Sequence, residues 1–98
     1  MPDNKVISLL LSAQRALLGI VTPVLRGVAV EWNGEDIIIY FYNDGQISEE
    51  LEDDYMCVGS EIISDFTSGI IDEKIVRLDL PAPLPKHDLW AYRRKESF

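Results

Sequence analysis

The sequence predicts an α+β domain in which two helices pack on a mostly antiparallel sheet of three to four strands. Two segments have apolar residues at helical spacing, and two β-rich runs are joined by the dipeptide Asn33-Gly34. The predicted order along the chain is α-β-β-α-β-β. With 98 residues, of which 47% are hydrophobic and 27% charged, residues 1–98 are expected to form a single domain with one core.

The first helix is predicted from a row of apolar residues near the start of the chain. Asp3 or Asn4 can cap its start, and Gly19 and Pro23 are expected to end it. The residues at helical spacing are Val6, Leu9, Leu10, Ala13, Leu17 and Val21.

A β-hairpin is predicted over Val24–Trp32 and Asp36–Tyr42. Asn33 and Gly34 suit the two positive-φ positions of a type I′ turn. The second run is apolar without interruption from Ile37 onward, which indicates a central strand covered on both faces.

The second helix is predicted from Ser48 to Phe66, with Ser48 as N-cap. Gly59 lowers helix stability by about 1 kcal/mol relative to Ala, so a break at this residue is left open. The predicted core positions of this helix are Leu51, Tyr55, Val58, Ile62 and Phe66.

The last part of the chain predicts two further strands. The first covers Lys74 to Leu80, and the second is a short strand from Leu89 to Arg93. Between them, Pro81 to Pro85 is expected to be a stiff, extended connector.

Charge is distributed unevenly along the sequence. The formal net charge is −8, and no Lys or Arg lies between Arg26 and Lys74, a segment that holds 13 of the 17 Asp and Glu residues. A block of one sign repels nucleic acid and attracts cationic surfaces. Direct binding to DNA or RNA is therefore not expected.

The sequence also favours a cytoplasmic protein without a membrane segment. Its one cysteine, Cys57, cannot form an internal disulfide, which suits a reducing compartment. No apolar stretch approaches the roughly 20 residues needed to span a bilayer. Met1 to Lys5 lacks the basic region that begins a secretory signal.

The turn Asn43 to Gly45 is followed by acidic residues, a pattern similar to a calcium-binding loop. A loop with Gly45 at its sixth position would need oxygen ligands at Tyr40, Tyr42 and Leu51, and these residues have none suitable. A simple turn is the favoured interpretation, and neither a metal nor another cofactor is expected.

The sequence gives no positive indication of an enzyme. Cys57 and His87, the only thiol and the only imidazole, could form a nucleophile–base pair. Nearby carboxylates disfavour the Cys57 thiolate, however, and His87 is expected to be a solvated loop residue. Because no phosphate loop or hydrolase motif is present either, we predict that the chain is not an enzyme.

One side of the second helix predicts a binding surface. Glu50, Asp54, Cys57, Glu61 and Asp65 are spaced to form one stripe, with no basic residue between them. This stripe is either a solvated acidic face or a docking surface for a basic partner, and the missing Lys and Arg favour docking. The predicted partner-binding residues are Asp44, Glu49, Glu50, Glu52, Asp53, Asp54, Glu61 and Asp65.

Two other groups leave alternatives open. The aromatic residues can be interface anchors, although core packing is favoured for strand and helix positions; they are Trp32, Tyr40, Tyr42 and Tyr55. The basic residues Arg93 to Lys95 form either a solvated terminus or a segment that folds back onto the acidic helix.

From Gly27 onward the chain resembles small bacterial immunity proteins, the antidotes of contact-dependent growth inhibition and related polymorphic toxin systems. The resemblance is one of overall character, and the segments that carry it are Gly27–Trp32 through Asp44–Glu50, Pro83–Pro85 and Tyr92–Arg94.

This resemblance implies tight binding to the C-terminal toxin domain of a secreted or surface effector, commonly a nuclease with a basic cleft. An acidic inhibitor would be complementary to such a cleft. The alternatives are an acidic protein-binding module or a homo-oligomeric structural module without a toxin partner.

Overall fold

The computed structural model describes residues 4–96, which form two helices and a four-stranded sheet. The elements follow the predicted order α-β-β-α-β-β, which confirms the α+β class. They are α1 (Asn4–Ala16), β1 (Leu25–Asn33), β2 (Asp36–Asn43), α2 (Glu49–Ser64), β3 (Ile71–Arg77) and β4 (Trp90–Arg93).

The sheet is mixed, with the spatial order β3-β2-β1-β4. β1 pairs antiparallel with β2, as the predicted hairpin requires, and also with β4, a pairing that the sequence did not specify, whereas β2 and β3 are parallel. A parallel neighbour needs a crossover connection, and α2 provides it by returning the chain to the starting end of β2. The expectation of a mostly antiparallel sheet therefore holds for two of the three pairings, and β3 is the parallel exception.

The hairpin between β1 and β2 is confirmed, but its predicted turn type is wrong. Asn33 pairs with Asp36, so the two loop residues are Gly34 and Glu35. Gly34 has φ of +67°, and among the described residues no position other than glycine has a positive φ. A two-residue loop with such a glycine at its first position is typical of a type II′ turn.

Several element boundaries differ from the predicted ones; β3, for example, ends at Arg77 and not at Leu80. α1 ends at Ala16 instead of near Val21, and the chain then turns through Gly19. β3 starts at Ile71, three residues before the predicted start at Lys74 and directly opposite Ile37 of β2. β4 starts one residue later than predicted.

Both helices pack on one face of the sheet. Alternate residues of β2 point toward them, and the Phe41 ring stacks on Tyr55 of α2 with 4.3 Å between ring centroids. The opposite face of β2 carries Tyr40 and Tyr42. The core consists mainly of Leu9, Ala13, Leu25, Val28, Val30, Ile37, Ile39, Phe41, Tyr55, Val58 and Ile62.

Helix α2 continues without a break through Gly59, which is buried. A Cβ atom at this position would lie 2.1 Å from Oε1 of Glu73 on β3. The missing side chain therefore gives the Glu73 carboxylate room beside α2. This close approach accounts for a glycine in the middle of a helix.

We expect the effect of Gly59→Ala to depend on Glu73. In the wild-type background the added methyl displaces the Glu73 side chain and destabilises the domain by about 1–3 kcal/mol. In a Glu73→Ala background the same change should stabilise by about 1 kcal/mol, because Ala favours the helix. Urea unfolding of the two single variants and the double variant measures the coupling. Equal effects of Gly59→Ala in both backgrounds would contradict the close-approach explanation.

Candidate partner-binding surface

The start of α2 is set by a cap that the sequence predicts. The Oγ atom of Ser48 accepts a hydrogen bond from the Leu51 backbone N–H at 3.1 Å. The first turn then carries Glu49, Glu50 and Glu52, whose negative charges are stabilised by the positive end of the helix dipole. Tyr55, Val58 and Ile62 are buried beneath the helix, so its other sides are left to solvent.

The solvent side of α2 holds six carboxylates, which we call the acidic face. Asp54 is half-buried and the other five are exposed. Met56 and Cys57 lie among them, in a shallow depression of about 530 Å³. α2 contains no Lys or Arg. The members of the acidic face are Glu49, Glu50, Glu52, Asp53, Asp54 and Glu61.

Asp65, the last residue of the predicted stripe, caps α2 and contacts α1. Its carboxylate accepts hydrogen bonds from Ser12 Oγ and Arg15 Nη2, each at 2.6 Å. These two bonds, the one from Ser12 first, lower the pKa of Asp65 below its usual range. Asp65 therefore joins the two helices.

Asp44 lies apart from α2, in the turn after β2. Its carboxylate accepts hydrogen bonds from the Leu80 backbone N–H at 3.3 Å and from Arg94 Nη2 at 3.2 Å. Thus six of the eight predicted partner-binding residues lie together on the helix, whereas Asp44 and Asp65 form contacts within the chain.

The end of the described chain is held by a buried ion pair that the sequence analysis did not identify. The Arg26 side chain is fully buried and forms two hydrogen bonds to Glu96, at 2.7 and 2.9 Å, and one to the Leu78 carbonyl at 2.7 Å. The bond from Arg26 is the largest cause that lowers the pKa of Glu96. Arg94 also bonds to Glu96, at 3.0 Å, and does not extend to α2.

The aromatic residues divide between the two faces of the sheet. Tyr55 is a core residue, as favoured. Tyr42 is almost fully buried on the opposite face, where its hydroxyl lies 2.6 Å from His87 Nε2. The His87 ring also packs on Tyr40, with centroids 4.5 Å apart. The expectation that His87 is a solvated loop residue is therefore wrong. The His87 ring packs on the sheet and so holds the segment that follows the connector against it.

The suggested Cys57–His87 pair is not formed. Cys57 is exposed on α2, which covers one face of the sheet, and His87 contacts tyrosines on the other face. Within residues 4–96, no group of three His, Cys, Asp or Glu side chains is placed to hold a metal ion. No helix in that range is long and apolar enough to cross a membrane.

Taken together, these features define a two-layer α+β domain in which α2 presents carboxylates to solvent. A family model described as MafI2 immunity protein matches residues 6–96. The chain therefore belongs to the MafI2 immunity protein family. A comparison with curated proteins gives no match.

Family membership confirms that the chain is an immunity protein, as the resemblance of its sequence implied. An immunity protein has a cognate toxin as its partner and is not an enzyme. Family membership therefore confirms that the partner is a toxin and that the chain is not an enzyme.

Proposed function

We propose that this immunity protein neutralises a basic toxin domain by covering it with the acidic face of α2. The observation that carries the proposal is the group of six carboxylates on a helix that contains no basic residue. The ion pairs within residues 4–96 do not include any member of the acidic face. Its full negative charge is therefore available to a partner.

The arrangement is unfavourable for the helix alone. Glu49 and Asp53, and likewise Glu50 and Asp54, are like charges four residues apart, and each such pair destabilises a helix by a few tenths of a kcal/mol. A surface that serves only solubility mixes both signs. Carboxylates without basic neighbours are what a binding surface for a cationic partner requires.

A nuclease is the toxin class that this surface fits best. Its cleft must present Lys and Arg to phosphates, and an acidic protein is complementary to that cleft. Long-range attraction also speeds association, which helps an antidote capture its toxin before damage occurs. In this proposal Glu50, Asp54 and Glu61 contact the toxin centrally and the rest of the acidic face broadens the contact. Asp44 and Asp65 then lie at its margins.

We further propose that the encounter takes place in the cytoplasm. The toxin would be the C-terminal domain of an effector from a contact-dependent or related system. This setting suits a chain with a single cysteine, which the structure leaves exposed and unpaired on α2.

The function is tested with the toxin domain encoded by the neighbouring gene. We expect its expression alone to stop growth and its co-expression with this chain to restore growth. The two proteins should co-purify, with an association rate that falls steeply as salt rises. A harmless neighbour that fails to co-purify would contradict the proposal. A complex whose association rate is independent of salt would contradict the role of the acidic face.

A further inference from the structure

Helix α1 and the turn after it carry a row of exposed apolar side chains. Leu11 of α1 is 60% exposed, on the side of the helix opposite its buried residues, and Leu18, in the turn after α1, is 77% exposed. Four of the seven large apolar side chains that are exposed within residues 4–96 belong to this row. The apolar row consists of Ile7, Leu11, Leu18 and Val21.

The apolar row and the acidic face lie on neighbouring helices, and α1 and α2 contact each other through side chains at the end of α2. Ser12 and Arg15 of α1 hydrogen-bond to Asp65 at the end of α2. At 100° per residue, Arg15 is about 40° around α1 from Leu11. The surface of the helical layer thus passes from carboxylates, across the Arg15–Asp65 ion pair, to apolar side chains.

The charges near the apolar row decide what can cover it. A second copy of the chain would bring two acidic faces, each from a molecule of net charge −8, toward each other. An anionic lipid surface would be repelled for the same reason. A basic protein is attracted by the net charge and by the acidic face, and the exposed Arg15 beside the row is already paired with Asp65. An apolar centre bordered by charges is typical of protein–protein interfaces.

We infer that the apolar row and the acidic face form one continuous binding surface. Its occupant is a basic toxin domain that carries an apolar patch beside its cationic cleft. This inference rests on the proposed function and extends it. The carboxylates steer the encounter and set its salt dependence, whereas burial of the apolar row slows dissociation.

The test replaces both leucines with glutamine, a good helix former of similar length. Leu11→Gln/Leu18→Gln should retain the wild-type thermal stability, since both side chains are exposed. Affinity for the toxin domain of the neighbouring gene, measured by surface binding kinetics, should fall roughly ten- to hundredfold. The loss should be in the dissociation rate and equal at low and high salt.

Ile70→Gln provides the matched control. Ile70 is 66% exposed but lies outside the apolar row, in the segment before β3, where its backbone bonds to Asp36 and Ile37 of β2, so this variant should bind like the wild type. An unchanged dissociation rate in the leucine variant would overturn the inference. The proposed function would still stand in that case if reversing charges on the acidic face slowed association. An equal loss in the Ile70 variant would also overturn it, since the effect would not be specific to the apolar row.

Discussion

Reversing the central charges of the acidic face should slow capture of the toxin by roughly ten- to thousandfold at low salt. The variant Glu50→Lys/Asp54→Lys/Glu61→Lys changes the formal charge by +6, from −8 to −2. It removes three carboxylates from one stripe and places ammonium groups opposite the proposed cationic cleft. Stopped-flow association with the toxin domain over a range of salt should show a slower rate and a much flatter salt dependence.

The control for this variant carries the same change in net charge elsewhere. Glu35, Asp72 and Asp88 are exposed acids in the hairpin turn, in β3 and just before β4, and none lies on α2. Their replacement by Lys should slow association much less, because the attraction is concentrated at the contact surface. Equal slowing in both variants would assign the effect to net charge. An unchanged rate in the α2 variant would place the toxin elsewhere.

Regular periodicity predicted most of the local structure. The spacing of Tyr55, Val58 and Ile62 gave the buried side of α2, and therefore also its opposite acidic side. Ser48 set the start of this helix as expected. The unbroken apolar run of β2 indicated a central strand, and β2 does lie between β1 and β3. These features depend on neighbours in the sequence, which explains why they could be predicted.

The environment of His87 was predicted wrongly, and the direction of β3 and the contact of Asp65 were not foreseen; all three depend on residues far apart in the sequence. The direction of β3 follows from how α2 packs on the sheet, and the strand pattern itself fits either direction. Asp65 has the spacing of a free stripe residue, yet Arg15, fifty residues earlier, pairs with it. His87 could not be placed for the same reason, because it lies outside the strands and its partners Tyr40 and Tyr42 lie on β2, more than forty residues earlier.

The sequence and the structure contribute different parts of the candidate binding surface. The sequence alone places eight carboxylates in one predicted site. The structure assigns Asp44 and Asp65 to contacts within the chain and leaves the other six on α2. It also exposes Leu11 of α1 and Leu18 of the following turn, two residues that the sequence analysis did not assign to any surface. A candidate interface of mixed character replaces a purely electrostatic one.

Glu96→Gln should be among the most destabilising single changes in this domain. It removes the carboxylate that pairs with Arg26, whose side chain is fully buried, and leaves a guanidinium group without its main counter-charge. Breaking one partner of a buried ion pair costs about 3–5 kcal/mol. In a domain of this size, each kcal/mol lowers the melting temperature by roughly 4–8 °C. Thermal and urea unfolding measure the loss.

The pH dependence of stability separates this ion pair from a simple packing effect. Because Arg26 lowers the pKa of Glu96 in the folded state, the pair stabilises the fold fully above the ordinary carboxyl pKa of about 4.3. This contribution is lost as the pH falls through the lower, folded-state value. Stability of the wild type should therefore decline over that acidic range, and Glu96→Gln should show a smaller decline.

Glu61→Gln is the matched control, since Glu61 is exposed on α2 and pairs with no basic residue within residues 4–96. It should change stability by less than about 0.5 kcal/mol. The two glutamine variants also separate folding from binding. Glu61→Gln should weaken toxin association without loss of stability, whereas Glu96→Gln should lose stability but keep the association rate of its folded fraction. A Glu96→Gln variant as stable as Glu61→Gln would mean that Arg26 is satisfied by the Leu78 carbonyl and its other neighbours alone.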